Sequence, residues 1–239
     1  MKNMRWCIAL AIVLAGGVSA HADTVVAQLT GVPLSRSFSY SLDGGSTWRS
    51  DLAGRMVWNR TGGTHVGNPM GSFFSFCVEL TQHVNYNTNY TFNVVPLSQA
   101  PDPGGMGVGS GMGLTKAEQI RELWGRHYNS IVDADTSAAF QIAVWEIVYD
   151  SGNDLLNGSF RARKINNALP AWVTLAQTWL NTLDGNGPKP FLGGLTSTGL
   201  QDQVYFESPA VPLPAAGLGG LALIATLGIR RIRRALRIA

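Results

Sequence analysis

Residues 76–79 read Phe-Cys-Val-Glu and residues 140–145 read Phe-Gln-Ile-Ala-Val-Trp. A cysteine thiol is a nucleophile and a glutamine carboxamide is an acyl group. If the two condense with loss of ammonia, the product is an acyl–sulfur bond that a second nucleophile can open. The chain has 2 cysteines. Cys7 lies in an apolar leader, so Cys77 stands alone in the remainder of the chain. A lone cysteine in an exported chain has no partner for an internal disulfide; it is free, intermolecular or chemically committed. Its pairing with a glutamine in an apolar helix points to the third state, an internal thioester between Cys77 and Gln141.

The elements that must bring these residues together are legible as changes of period. Phe38, Tyr40 and Leu42 alternate with polar residues before the turn signal Asp43-Gly44-Gly45, the pattern of a strand entering a hairpin. Met56–Trp58, Phe73–Leu80 and Tyr90–Leu97 read as further strands. In the second of these, Phe74, Phe76, Val78 and Leu80 form an apolar face. Ser75, Cys77 and Glu79 then fall on the other, so Cys77 need not be a core residue. Residues 101–113 are rich in glycine but end in no Lys-Ser/Thr pair, so they read as a connector and not as a phosphate cradle.

Beyond them the period becomes helical. Thr115 with Glu118 suggests a capping box ahead of Ile120, Leu123, Trp124 and His127. A second helix is expected over about 136–149, ended by Ser151-Gly152-Asn153, with Gln141, Trp145 and Tyr149 on one face because they are four residues apart. Phe140, Val144 and Ile147 point elsewhere. A third helical region is expected over about 163–183, kinked or restarted at Pro170, followed by a last strand at 203–207. Gln141 among Ala138, Ala139, Phe140, Ile142 and Ala143 must satisfy its amide if buried. Condensation would remove the NH2 group, and Phe74, Phe76, Phe140 and Trp145 would keep water from the product.

The two ends read as targeting segments. Lys2 and Arg5 precede an apolar run to about Val18, and Ala20-His21-Ala22 supplies small residues for cleavage after Ala22 or, second, after Ala20. At the other end Val211-Pro212-Leu213-Pro214-Ala215 opens a run of 19 uncharged residues to Ile229, with arginines at 230, 231, 233, 234 and 237. That length is marginal for one membrane crossing, and the arginines would stay cytoplasmic. The full chain carries 18 Lys+Arg and 15 Asp+Glu, a net +3. Seven of the basic residues lie in the two ends, so the middle holds 11 against 15, a net −4. The basic character therefore belongs to the targeting segments, which excludes a nucleic-acid footprint.

The tail from Val211 to about Arg234 resembles a PEP-CTERM sorting signal in its Val-Pro-Leu-Pro-Ala variant. That resemblance implies processing near 212–215 by an exosortase of a Gram-negative bacterium, often in the company of exopolysaccharide. Phe76-Cys77-Val78-Glu79 and Phe140-Gln141-Ile142-Ala143-Val144-Trp145 resemble the two signature motifs of bacterial thioester domains of surface adhesins. These are an aromatic-Cys-aliphatic-acidic strand and a Gln-x-Ala-aliphatic-Trp helix. The likeness spans about 70–150 at motif level. It implies an α+β fold, a β-sandwich-like body with an inserted helical subdomain, to which the tail adds a C-terminal transmembrane or sorting helix. It maps Cys77 and Gln141 onto the thioester.

The expected organisation is a signal peptide at 1–22, an extracellular thioester-type domain at 23–207 and a sorting tail at 208–239, with the membrane helix at about 213–229 and the arginine cluster at 230–237. The protein would be exported to the cell surface or beyond, transiently anchored in the inner membrane. It would attach covalently to an amine- or hydroxyl-bearing surface, exopolysaccharide or matrix target, and it would not be an enzyme, since the bond is used once. No cofactor or metal is expected; Asp133 and Asp135 lack further loop ligands for calcium and read as helix caps. Two rivals remain. One is a passive matrix or surface protein with an incidental thiol. The other is a hydrolase with Cys77 as nucleophile and His83 or His127 as base, for which no orienting third group is evident.

Overall fold

The computed structural model describes residues 23–67, 70–101, 111–163 and 169–207. The expected leader, the sorting motif Val211–Ala215 and the expected membrane helix at about 213–229 lie outside the described residues. Among the described residues no helix is long and apolar enough to cross a membrane.

The protein is mostly β, with a few helices. Strands β1 (Thr24–Ser41), β2 (Arg49–Gly62), β3 (Gly71–Cys77) and β4 (Asn89–Pro96) come first. Helices α1 (Gly113–His127) and α2 (Ala134–Tyr149), a short strand β5 (Arg161–Arg163) and helix α3 (Ala171–Leu180) come next. Strands β6 (Leu192–Ser197) and β7 (Leu200–Phe206) close the chain of elements. A strand body with a helical insert is therefore present. Its strands, however, close on themselves instead of stacking as two sheets: the order β2-β3-β7-β6-β4-β1 is completed by direct pairing of β1 with β2.

The closure rests on β1, which runs for 18 residues. One edge pairs with β2 along nearly its whole length, with register breaks at Val26/Ala27, Leu29/Gly31 and Gly31/Leu34. On the other edge Thr24–Gln28 pairs with β4 and Ser39–Ser41 with β5. Bulges of this kind bend a strand and increase its twist, which is what closure needs. Gly54 sits at a close approach of β1 and β2, where a Cβ would lie 2.2 Å from Leu34 O. The hairpin turn is as expected: Gly44 and Gly45 take positive φ, and Asp43 Oδ1 accepts from Thr47 N.

Two expectations change. Arg163, expected to open the third helical region, instead ends β5, which pairs antiparallel with the end of β1, and α3 starts only after Pro170, whose fixed φ suits a helix entry. Residues 164–168 lie outside the described residues. Helix α1 begins at Gly113 with no side-chain cap, so Thr115 sits inside the first turn and Glu118 pairs instead with Arg121 and Lys189. The capping expected of Asp133 is real: its carboxylate accepts from Thr136 N at 2.8 Å, completing a capping box at the start of α2. Asp135 pairs with Arg36.

Every residue of α2 from Ser137 to Val148 is buried. A helix apolar all round belongs in a core, and α2 packs against β1, β2, β3, α1 and α3. Phe140 meets Phe76 of β3 with ring centroids 4.6 Å apart, and Trp124 of α1 closes over both. This aromatic contact seats α2 against β3 at the level of Cys77.

Candidate functional site

Strands β2 and β3 pair as far as Met56 and Ser75, and there the ladder stops. Beyond that point Val78 N still bonds Asp202 O on the β7 side. The N–H and C=O of Cys77, one residue earlier, therefore face the side that β2 has left. Helix α2 fills this fork. Gln141 Oε1 accepts from Cys77 N at 2.9 Å, and Gln141 Nε2 donates to Cys77 O at 2.7 Å. The side-chain amide thus imitates a strand residue and satisfies both backbone groups of the residue that carries the thiol.

The rest of the same helical face continues the arrangement. Ser137, one turn before Gln141, accepts from Arg55 N at 2.8 Å, on the β2 arm of the fork. Tyr149, two turns after it, accepts from Leu80 N at 2.9 Å. Between them, Trp145 is stacked on Phe38 with ring centroids 5.2 Å apart. The spacing of four that placed Gln141, Trp145 and Tyr149 on one face is thus the spacing at which α2 meets the fork and the exit of β3. Ser137 belongs to the row and was not singled out from sequence, though the same period would have found it.

Cys77 is 3% exposed and Gln141 1%. The strand pattern left it open whether Cys77 lies in the core, and the structure buries it, because both faces of β3 are covered at this level. Phe76 faces the helices, while Ser75 bonds Trp58 Nε1 and Gln203 Oε1, each at 2.8 Å, within the strand body. Cys77 Sγ is folded into a tight turn, donating to Glu79 O and accepting from Glu79 N at 3.2 Å. Burial pushes the thiol pKa well up, opposed by the Glu79 backbone contact and by the indole N–H of Trp145.

A cavity of about 200 Å³ reaches the pair, lined among others by Asp51, Cys77, His83, Gln141, Trp145 and Gln201. It admits a slender group and no more. Two larger clefts lie elsewhere. One of about 560 Å³ runs between 94–98 and α1, and an aromatic groove of about 810 Å³ is lined by Phe73, Phe74, Trp124 and Tyr128. Neither is lined by a cysteine.

A cysteine nucleophile, whether of a hydrolase or of a thioester, gains from a base that lowers its pKa, and burial raises that of Cys77. The hydrogen-bond partners of Sγ are both on Glu79. His83 shares the cavity without bonding the sulfur. His127 is turned away: it bonds Thr182 Oγ1 at 2.8 Å and stacks on Trp179, and burial, then Arg126, lowers its pKa. Among the described residues no cluster of three or more His, Cys, Asp or Glu is placed to hold a metal.

At 2.9 Å from Gln141 Oε1, the Cys77 N–H is placed to meet negative charge on that oxygen. In comparisons with known proteins, the chain matches no family model, no curated protein and no solved structure.

Proposed function

We propose that this chain is an exported surface protein that forms an internal thioester between Cys77 and Gln141 and spends it once, on an amine or hydroxyl of a partner surface or matrix. The observation that carries the reading is the two-point clamp of the Gln141 amide on the backbone of Cys77. A glutamine that only had to be satisfied in a core had many possible partners. Here both of its hydrogen bonds go to the residue bearing the one nucleophile with which its amide can condense.

The chemistry runs in two steps. Cys77 Sγ attacks Gln141 Cδ while the oxygen leans on the Cys77 N–H; the C–N bond breaks, and ammonia leaves with the thiol proton. Protonation of ammonia in neutral water draws this step forward, and burial protects the product from hydrolysis. An acceptor nitrogen or oxygen then attacks Cδ through the cavity. A new amide or ester forms, the C–S bond breaks, and the acceptor's proton goes to the departing thiolate. Nothing regenerates the bond, so the protein is a single-use cross-linker and not a turnover catalyst.

The ends belong to the same proposal and are supported by sequence alone. The leader is removed after Ala22, the 213–229 stretch holds the chain briefly in the inner membrane, and an exosortase acts near Pro212–Ala215, releasing a cell-surface or extracellular domain of a Gram-negative bacterium.

A second reading has its own observation: the thiol is hydrogen-bonded to Glu79 O, as a passive buried cysteine would be. Intact mass of the protein purified from its native envelope, with and without methylamine, separates the two. The proposal expects a mass short by one ammonia, a methylamine adduct on Gln141, and a thiol that alkylates only after treatment. The same spectrum reads where both ends are cut. A full mass with Cys77 alkylated under denaturing conditions before treatment, and no adduct after it, would overturn the thioester.

A further inference from the structure

Four residues on one face of α2 point polar groups at the β2–β3 fork, and three have backbone partners there: Ser137 with Arg55, Gln141 with Cys77, Tyr149 with Leu80. The fourth is Trp145. Its side chain is 1% exposed, and its Nε1 has no acceptor at ordinary hydrogen-bond geometry. Buried indole N–H groups nearly always find a partner, so an orphaned one asks for a reason.

We propose that the Trp145 indole N–H is a catalytic donor to the Cys77 sulfur, held ready for the thiolate that departs when an acceptor opens the thioester. The inference rests on the thioester reading above.

Three observations support it. Trp145, Cys77 and Gln141 line the same small cavity, so the indole stands where the reacting atoms meet. Its ring is fixed, stacked on Phe38 at an interplanar angle of 10°, with Phe38 stacked in turn on Tyr40. A donor held this way needs no reorganisation when charge develops, which is the condition for electrostatic catalysis. Finally, the indole N–H lies near enough to the sulfur to favour its charged form while falling short of a hydrogen bond to the neutral thiol. The titratable groups around the sulfur supply no positive charge for this: Tyr40 from β1, Asp51 from β2, Glu79 in the following turn and Tyr149 from α2 are neutral or anionic, and His83 lines the cavity without bonding Sγ.

The division of labour is then complete in chemical terms. When the acceptor attacks Gln141 Cδ, negative charge grows first on Oε1, which the Cys77 N–H meets. The C–S bond then breaks and the charge passes to sulfur, which meets the Trp145 N–H. A satisfied indole would have been useless for this, because its hydrogen bond would already be committed. The neutral thioester sulfur is a poor acceptor, so the donor gains its partner only as the bond breaks. That is the differential stabilisation catalysis requires.

The test is Trp145→Phe, which keeps a ring for stacking on Phe38 and removes the N–H. Two readouts are taken on the full protein. The first is the rate of methylamine opening followed by intact mass. The second is the pH profile of Cys77 alkylation after opening, when the thiol is free. The variant should still be short by one ammonia, open on the order of tenfold more slowly, and show a thiol pKa raised by roughly one unit. If Trp145→Phe does not fold, benzothienylalanine at 145 keeps the indole shape without the donor and is read the same way. An unchanged rate and an unchanged thiol profile, with the ammonia deficit retained, would end this proposal and leave the thioester standing. A wild-type protein of full mass would end both.

Discussion

Gln141 and Glu146 lie on the same helix, five positions apart and equally buried, and the protein treats them in opposite ways. Both hydrogen bonds of the Gln141 amide go to a single residue of β3. Glu146 faces the loop beyond the helix. Its Oε1 accepts from Asp154 N at 2.8 Å, while its Oε2 has no partner. Burial, then the charge of Asp150, pushes its pKa up to about 8. The middle of α2 is thus built around an amide held in a defined geometry. Its C-terminal turn tolerates a carboxyl by keeping it protonated. The difference separates a polar group that specifies a site from one the core merely accommodates.

The largest expected effect breaks the first half of this comparison. In a Cys77→Ala background, which cannot condense and keeps the amide, Gln141→Leu keeps the volume and removes both partners of the residue-77 backbone, leaving a buried N–H and a buried C=O unsatisfied. Each such group costs about 1–3 kcal/mol, so chemical denaturation should show a loss of about 2–6 kcal/mol. With Cys77 present, Gln141→Leu should make methylamine adducts vanish altogether. Gln141→Glu retains an acceptor for Cys77 N but sets its second oxygen against Cys77 O, so it should lose less stability than Gln141→Leu only at low pH, where the carboxyl is protonated and can donate, while losing adducts just as completely. A Gln141→Leu protein as stable as its Cys77→Ala parent would mean that the clamp holds nothing.

The clamp is also where the reach of the sequence can be judged. The two halves of the clamp were legible because each is local, a strand period of two around Phe76 and a helix period of 3.6 around Trp145; that they meet was an expectation from the lone cysteine and from the resemblance of the two motifs to thioester domains, not from period. What was not legible depends on contacts distant in sequence. Strand β6 reads Leu-Gly-Gly-Leu and shows no alternation, because Gly193 and Gly194 make room for neighbours. A Cβ at Gly193 would lie 2.7 Å from the Tyr205 ring, and one at Gly194 2.8 Å from Ala100 Cβ. Barrel closure hangs on bulges in β1, which have no clear mark in a stretch such as Gly31-Val32-Pro33. The burial of Cys77 was left open for a related reason: one-face patterning is silent on whether the second face is solvated, and here the helices and the barrel interior cover both.

The second half of the comparison is broken by pH. The folded pKa of Glu146 lies above the ordinary carboxylate value, so its contribution to stability is full below about pH 4.5 and is lost as pH rises through about 8. Glu146→Gln mimics the protonated form and should abolish that loss. Relative to the parent, the variant should gain about 2–4 kcal/mol between pH 5 and pH 9, read from thermal or urea unfolding at both values. Glu122 on α1 supplies the opposite sign within the same insert. Burial would raise its pKa, but Arg126 and the N–H groups of Gly187, Gly185 and Asp184 outweigh this and lower it. Its contribution is therefore present above the ordinary carboxylate range and is lost on acidification. Glu122→Gln should remove stability at neutral pH and little at low pH. Equal pH slopes for the two variants would sink the distinction between a clamped carboxylate and a tolerated acid.

The smallest expected effect sharpens the comparison from the exposed start of α2. Asp133 and Asp135 are two positions apart, and both carry short polar contacts, yet only the first closes a backbone group of the helix. Asp133 satisfies Thr136 N, an N–H that no preceding turn can reach. Asp135 pairs with Arg36, and both side chains are about half exposed, 49% and 48%. An ion pair at that exposure exchanges water contacts for a screened attraction and loses side-chain freedom in doing so. Asp135→Asn should therefore change stability by less than about 0.5 kcal/mol, and that small change should shrink further at high salt. Asp133→Ala should cost measurably more and persist in salt, because it orphans a backbone donor and does not merely separate two charges. If the two variants proved equal, the capping box would contribute no more than a surface contact. The entry of α2, and with it the placing of Gln141 two turns on, would then rest on core packing alone.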